Sequence, residues 1–178
     1  MIKGVILDLD QALVDSTPAC LARKRRDWGE VYSLIPIFHI YDGEREFIDI
    51  AKRYDVKIGI VSTAPHTYVK KVLISHSINY DVIVGYHDAA PIKPHPAPML
   101  KALHLLNLRP DEVISFGDRY VDEKSSRSAC IRFVRCLWGS DEFQLNDSHD
   151  TSSLTLSKST ELVPFLVNSI SSNVNEYE

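Results

Sequence analysis

Five short apolar runs punctuate the chain, at residues 5–7, 58–61, 82–84, 113–116 and 131–137. Between them lie segments whose apolar positions recur at helical spacing. Residues 43–54 carry Phe47, Ile48, Ile50 and Ala51 on that period, residues 66–77 carry Tyr68, Val69, Val72 and Leu73, and residues 96–107 carry Met99, Leu100, Leu103 and Leu106. Continuous apolar runs of strand length fit a sheet covered on both sides. Strands alternating with helices predict a central parallel sheet with helices on both faces, an α/β, Rossmann-like three-layer fold.

Two regions break the alternation. Residues 17–42, "TPACLARKRRDWGEVYSLIPIFHIYD", separate the first strand from the next clear unit and read as a short insertion. Its length predicts one helix of about a dozen residues and a loop. Residues 139–153 are a polar loop, with a last short strand and a helix after it in "LTLSKSTELVPFL". Ser157 or Ser159 is placed to cap that helix, with Glu161 in its first turn. Residues 171–178 read as a frayed tail. No internal repeat is seen, and residues 1–178 are expected to form a single domain.

Composition narrows the picture only a little. The 178 residues suffice for one real core. A net charge of -4 is too mild to imply a partner by itself. No apolar run approaches membrane-spanning length, and a start that goes straight into the first strand, without the positive region, apolar region and cleavage site of a signal peptide, is expected to carry none. Cys20, Cys130 and Cys136 are odd in number and lack metal-site spacing, so they are expected to be reduced thiols in a cytoplasmic protein.

The polar residues carry more. In open parallel sheets ligands bind beyond the carboxyl ends of the strands. Asp8 and Asp10 come after the first strand, and Ser62 and Thr63 after the second. Lys93 lies beyond the third in "IKPHP", and Asp118 and Asp122 lie beyond the fourth in "GDRYVD". All are therefore expected on one rim. Four carboxylates gathered there would repel one another and raise at least one pKa. A hard divalent cation with oxygen ligands resolves the conflict, and Mg²⁺ suits carboxylates together with a phosphate. Ser62 and Lys93 add a hydroxyl and a positive charge, and a carboxylate can itself act as nucleophile toward phosphorus.

With these residues in order, the chain resembles the haloacid dehalogenase-like superfamily on its phosphatase side. The first motif of that family, D-x-D-x-T/V, is here "DLDQA". The second is Ser62, the third is the Lys93 of "KPHP", and the fourth is "GDRYVD". The resemblance spans about residues 2–137. It implies that Asp8 is the nucleophile and that Asp10 is the general acid and base. It further implies that Mg²⁺ is held by Asp8, the Asp10 carbonyl, Asp118 and Asp122. Ser62, with Thr63 as the lesser candidate, and Lys93 would bind phosphate. An acid at Asp10 favours phosphate esters or anhydrides over carbon–halogen bonds. Two positions depart from the pattern. Ala12 replaces the usual Thr or Val, which predicts looser placement of Asp10 and lower activity, and Gln11 stands where Gly is frequent.

The insertion is about half as long as a four-helix cap would need, so an open site with a rudimentary cap is expected. Arg23, Lys24, Arg25 and Arg26 would overhang it and attract an anionic substrate. A basic helix face explains that run better than nucleic-acid binding, because the net charge is negative and no aromatic ladder accompanies it. The expected activity is a Mg²⁺-dependent phosphatase using an aspartyl-phosphate, acting on a small phosphorylated metabolite of the phosphoglycolate or sugar-phosphate kind. The alternatives are a phosphatase for a nucleic-acid end or a phosphoprotein, and a weakly active or non-catalytic binding module. A phosphomutase is disfavoured by the short cap.

Overall fold

Each apolar run enters one sheet. In the computed structural model, which describes residues 1–139 and 154–171, the chain opens with β1 (Gly4–Leu7) and β2 (Val14–Asp15). Next come α1 (Cys20–Arg25), α2 (Trp28–Leu34), β3 (His39–Ile40), α3 (Glu44–Arg53) and β4 (Lys57–Val61). The rest is α4 (His66–Ser75), β5 (Val82–Val84), α5 (Ala97–Leu106), β6 (Val113–Gly117), α6 (Tyr120–Ser128), β7 (Arg132–Cys136), β8 (Leu154–Leu156) and α7 (Leu162–Ser171).

Six strands pair in parallel in the order β5-β4-β1-β6-β7-β8. The order reverses at β1, which lies between β4 and β6, and this is where an open sheet forms its ligand crevice. Register sets the level of that crevice, since Leu7 sits beside Ile60 of β4 and beside Phe116 of β6. The loops that leave these three strands therefore emerge on one rim.

Strand alternation sends β1 into two cores. Val5 and Leu7 join Phe47 and Ala51 of α3, Val69 and Leu73 of α4, and Leu162 and Leu166 of α7. Ile6 joins Met99, Leu103 and Leu106 of α5 and Ile131 on the other face. This is the three-layer, Rossmann-like arrangement that the alternation predicts. Leu100 is a correction: it is half exposed, while Ala102 takes the buried place on α5.

The insertion departs from expectation. It holds two short helices rather than one, because Arg26 adopts a left-handed conformation (φ 57°) that ends α1. Asp27 then caps α2 by accepting from the Glu30 amide at 3.1 Å. Antiparallel β2 and β3 close the base of the insertion, and Asp15 accepts from the Thr17 amide where it begins. Ala19, Ala22, Val31, Ile35 and Phe38 are buried in the same core as β1 and α4, so the insertion is packed down on the sheet layer.

At the far end neither Ser157 nor Ser159 caps α7. Glu161 reaches back instead and accepts from the Ser157 amide at 2.8 Å. Gly43, at φ 87°, begins α3 where a Cβ would stand 3.0 Å from the Ser159 carbonyl oxygen, so both conformation and space require glycine. The polar loop expected over 139–153 falls outside the described residues except for Gly139. The tail falls outside them except for Ser171, which belongs to α7. No described helix is long and apolar enough to cross a membrane.

Candidate active site

Asp8 leaves β1 with its amide still donating to the Phe116 carbonyl at 2.9 Å. Its side chain is only 5% exposed. Burial pushes its carboxyl up to about 6, with the Asp122 charge adding to the rise and Lys93 and Arg119 opposing it. Lys93 is the direct counter-charge. Its ammonium, on a side chain 1% exposed, donates to Asp8 Oδ1 at 2.8 Å and to Asp122 Oδ1 at 2.6 Å. Burial alone would lower the lysine pKa, but the two carboxylates outweigh it and hold it raised. The loop carrying Lys93 is tied down by Ser125 of α6, whose hydroxyl donates to the His95 carbonyl at 2.7 Å.

Asp122 serves two partners. Oδ1 takes Lys93, while Oδ2 accepts the Arg119 amide at 3.1 Å in the first turn of α6. The one carboxylate thus joins the start of α6 to the buried lysine. Asp8, Asp118 and Asp122 each offer a buried oxygen within 4.8 Å of the others. Gly117 allows this crowding, since a Cβ there would stand 2.7 Å from Asp122 Cβ. Three buried carboxylates around one point, with a single lysine reaching two of them, fit a hard divalent cation.

The Asp10 carboxylate is not part of that cluster. It is turned toward the insertion, where Oδ1 accepts from the Tyr68 hydroxyl at 2.6 Å and pairs with Arg23 Nη1 at 2.5 Å. The loop beyond it turns through Gln11 at φ 66°, the left-handed region where glycine is at ease. Gln11 offsets that strain with two side-chain hydrogen bonds. It donates to Thr17 Oγ1 at 3.1 Å and accepts from the Tyr41 hydroxyl at 2.7 Å. The Ala12 carbonyl accepts from Trp138 Nε1 at 2.8 Å.

Ser62 and Thr63 come directly after β4 and line the same cavity as Asp8, a space of about 300 Å³. Ser62 Oγ accepts the Ala64 amide at 3.1 Å, and Thr63 Oγ1 accepts from Arg119 Nη2 at 3.3 Å. Of the basic run, Arg23 and Lys24 line this cavity and Arg26 lines a neighbouring one beside Asp10. Arg25 faces away and pairs with Glu30 at 2.6 Å. Arg119 is the charged cavity residue that sequence reasoning missed. It stands at an unconstrained place within "GDRYVD", and only its charge beside the two acids marked it. A larger space of about 440 Å³ lies at the opposite end of the sheet, by Ile2, Pro110 and Phe165, and holds no carboxylate cluster among the described residues.

Fold and site together define an α/β protein with an acidic, lysine-neutralised centre at the switch point of an open parallel sheet. Within that class the chain belongs to the haloacid dehalogenase-like hydrolase family, whose sequence model matches residues 21–136. Pyrophosphatase PpaX of Bacillus mycoides (strain KBAB4) is 33% identical over 100 residues, which are 55% of this chain and 46% of that protein. PpaX of Bacillus cereus (strain B4264) is 33% identical over 101 residues, 56% of this chain and 45% of that protein. The chain thus spans about half the length of the curated relatives it matches. Among solved structures, a HAD-superfamily hydrolase of subfamily IA from Geobacter sulfurreducens superposes with a TM-score of 0.76. It is 22% identical, over 93% of this chain and 100% of that one. CbbY from Rhodobacter sphaeroides, solved with phosphate, gives 0.75 at 17% identity over 91% and 96%. At these identities the likeness is one of fold.

Proposed function

We propose that the protein is a Mg²⁺-dependent phosphatase that cleaves a small organic phosphate through an aspartyl-phosphate on Asp8. The observation that carries this reading is the division of labour among the acids. Asp8, Asp118 and Asp122 share one buried point with Lys93, while the Asp10 carboxylate stands apart under Arg23 and Tyr68. A nucleophile and a proton carrier need that separation, because a group inside the metal cluster is not free to exchange protons with a leaving group.

Asp8, Asp118 and Asp122, with the Asp10 carbonyl, would hold the cation, which when bound offsets charge on the phosphoryl oxygens. An Asp8 oxygen forms a bond to phosphorus as the bond from phosphorus to the leaving oxygen breaks, and Asp10 gives that oxygen its proton. Water then attacks the same phosphorus. It passes a proton to Asp10 as the acyl phosphate breaks, freeing phosphate and restoring Asp8. Lys93 neutralises Asp8 and the phosphoryl group, and Ser62 donates to a phosphoryl oxygen. Thr63 and Arg119 border the same space, so the guanidinium is set to take a further oxygen.

A phosphoglycolate or sugar-phosphate type of substrate suits a cavity of this size. CbbY, similar in fold, has been solved with phosphate and with xylulose-1,5-bisphosphate. The test is phosphate release from a panel of phosphate monoesters, pyrophosphate and short phosphorylated oligonucleotides, with Mg²⁺ and with EDTA. Metal-dependent release that vanishes in Asp8→Asn is the expected result. Release that persists in Asp8→Asn refutes the mechanism, and the best substrate separates metabolite from macromolecule.

A further inference from the structure

We propose that Tyr68 is a positioning residue for Asp10, its buried hydroxyl fixing one carboxylate oxygen so that the other faces the leaving group; this rests on the phosphatase reading above. Tyr68 belongs to none of the four motifs. It lies in the first turn of α4 and is fully buried. A buried phenol needs a hydrogen-bond partner, and its partner is Asp10 Oδ1 at 2.6 Å, across 58 residues of sequence.

Both donors on Asp10 meet at the same oxygen, since Arg23 Nη1 lies 2.5 Å from Oδ1. With Oδ1 held from two directions, rotation of the carboxylate is blocked and Oδ2 is the oxygen left to carry a proton. The Tyr68 ring is itself fixed, with ring centroids 5.9 Å from Trp28 and 6.5 Å from Phe38, both in the insertion. Burial and the Asp10 charge hold the pKa of its hydroxyl above the usual phenol range.

The arrangement answers a local deficit. Ala12 brings no hydroxyl to the turn that carries Asp10, and the side chains of that turn point to other duties, Gln11 to Thr17 and Tyr41. A proton carrier must stand within hydrogen-bond reach of the atom it serves, and a small misplacement is costly to rate. Here the placement comes from α4 rather than from the loop.

Tyr68→Phe keeps the ring and its packing and removes only the hydroxyl. The measurement is kcat/KM with Mg²⁺ on two aryl phosphates, after thermal melting has established that the variant is folded. This quotient reports steps up to departure of the leaving group, so the later use of Asp10 as a base does not enter. Phenyl phosphate needs a proton on its leaving oxygen, whereas 2,4-dinitrophenyl phosphate does not. The expected result is a loss of about ten- to a hundredfold on phenyl phosphate, the worth of a hydrogen bond to a charged group. The dinitrophenyl ester should change by less than about threefold. An equal loss on both esters overturns the proposal, because it marks general loosening of the site, and so does no loss on either. If the native protein releases phosphate neither from these esters nor from the panel above, the phosphatase reading is what fails. Crystal structures of the native and Tyr68→Phe proteins then decide positioning: a turned Asp10 carboxylate upholds it, an unmoved one overturns it.

Discussion

Replacing Lys93 with Met removes one positive charge from a place where water cannot substitute for it. The ammonium contacts Asp8 at 2.8 Å and Asp122 at 2.6 Å, and all three side chains are at most 5% exposed. Without it, the carboxylates of Asp8, Asp118 and Asp122 remain within 4.8 Å of one another with no lysine between them. Breaking a buried ion pair by removing one partner costs about 3–5 kcal/mol. In a chain of 178 residues that corresponds to a fall in Tm of about 6–20 °C. The cost depends on pH, and its sign comes from Asp8, whose carboxyl is already raised to about 6 by burial and is pulled down by Lys93. A raised folded pKa favours the neutral form, so stability is present at low pH and is lost as pH rises through the folded value. In Lys93→Met that value rises further. Near pH 5 the variant protonates Asp8 at little cost, and near pH 8 it bears the full repulsion. Calorimetry in EDTA should therefore show a Tm deficit that is large at about pH 8 and smaller at about pH 5. Mg²⁺ should raise the Tm of the variant more than that of the native protein, since the cation supplies the missing charge. A deficit under about 1 kcal/mol at the higher pH would refute the reasoning, as would one that fails to shrink at the lower pH.

Gly117→Ala should displace Asp122, because the new Cβ would stand 2.7 Å from Asp122 Cβ and 2.9 Å from Cγ; a Mg²⁺ titration of phosphate release should show half-activation shifted upward by about tenfold or more, and an unchanged midpoint would show that α6 gives way freely. Glu44, 1% exposed with Oε2 lacking a hydrogen-bond partner among the described residues, has its carboxyl held well above the usual range by burial, so its contribution to stability is present at low pH and lost as pH rises through that raised value. Glu44→Gln should accordingly gain Tm over the native protein increasingly from about pH 5 to about pH 9, and a gap independent of pH would contradict this.

The rim was legible because a parallel sheet converts strand ends into a single place. Once β1, β4 and β6 are in register through Leu7, Ile60 and Phe116, the residues just beyond them converge whatever the helices do. The Tyr68 hydroxyl was not legible. Helical period puts residue 68 on the buried face with Val69, Val72 and Leu73, and a buried aromatic there reads as packing; that its oxygen meets Asp10 depends on where α4 docks against the insertion. The division of the insertion into α1 and α2 had a signal, Asp27 with Glu30 three residues later. The basic residues before it continued the helical pattern and masked it. Leu100 shows the opposite error, an apolar residue on the expected period that α5 leaves in solvent.

The insertion is too short to close over the site as a separate body, and its packing shows what it does instead. Trp28 and Phe38 flank Tyr68, Val31 and Ile35 are buried in the core that also holds β1 and α4, and Arg23 rests on Asp10. Side chains packed to this density lose stability and position together when one is removed. The same contacts that fold the insertion therefore hold the two donors on Asp10 Oδ1. A mobile cap places its residues at the moment of closure, at the cost of a conformational step. Here Arg23 and Tyr68 already rest on Asp10, so on the phosphatase reading proposed above a substrate would fit beneath a fixed basic roof. On the same reading, the geometry of that roof, more than the four motifs, would select the leaving group.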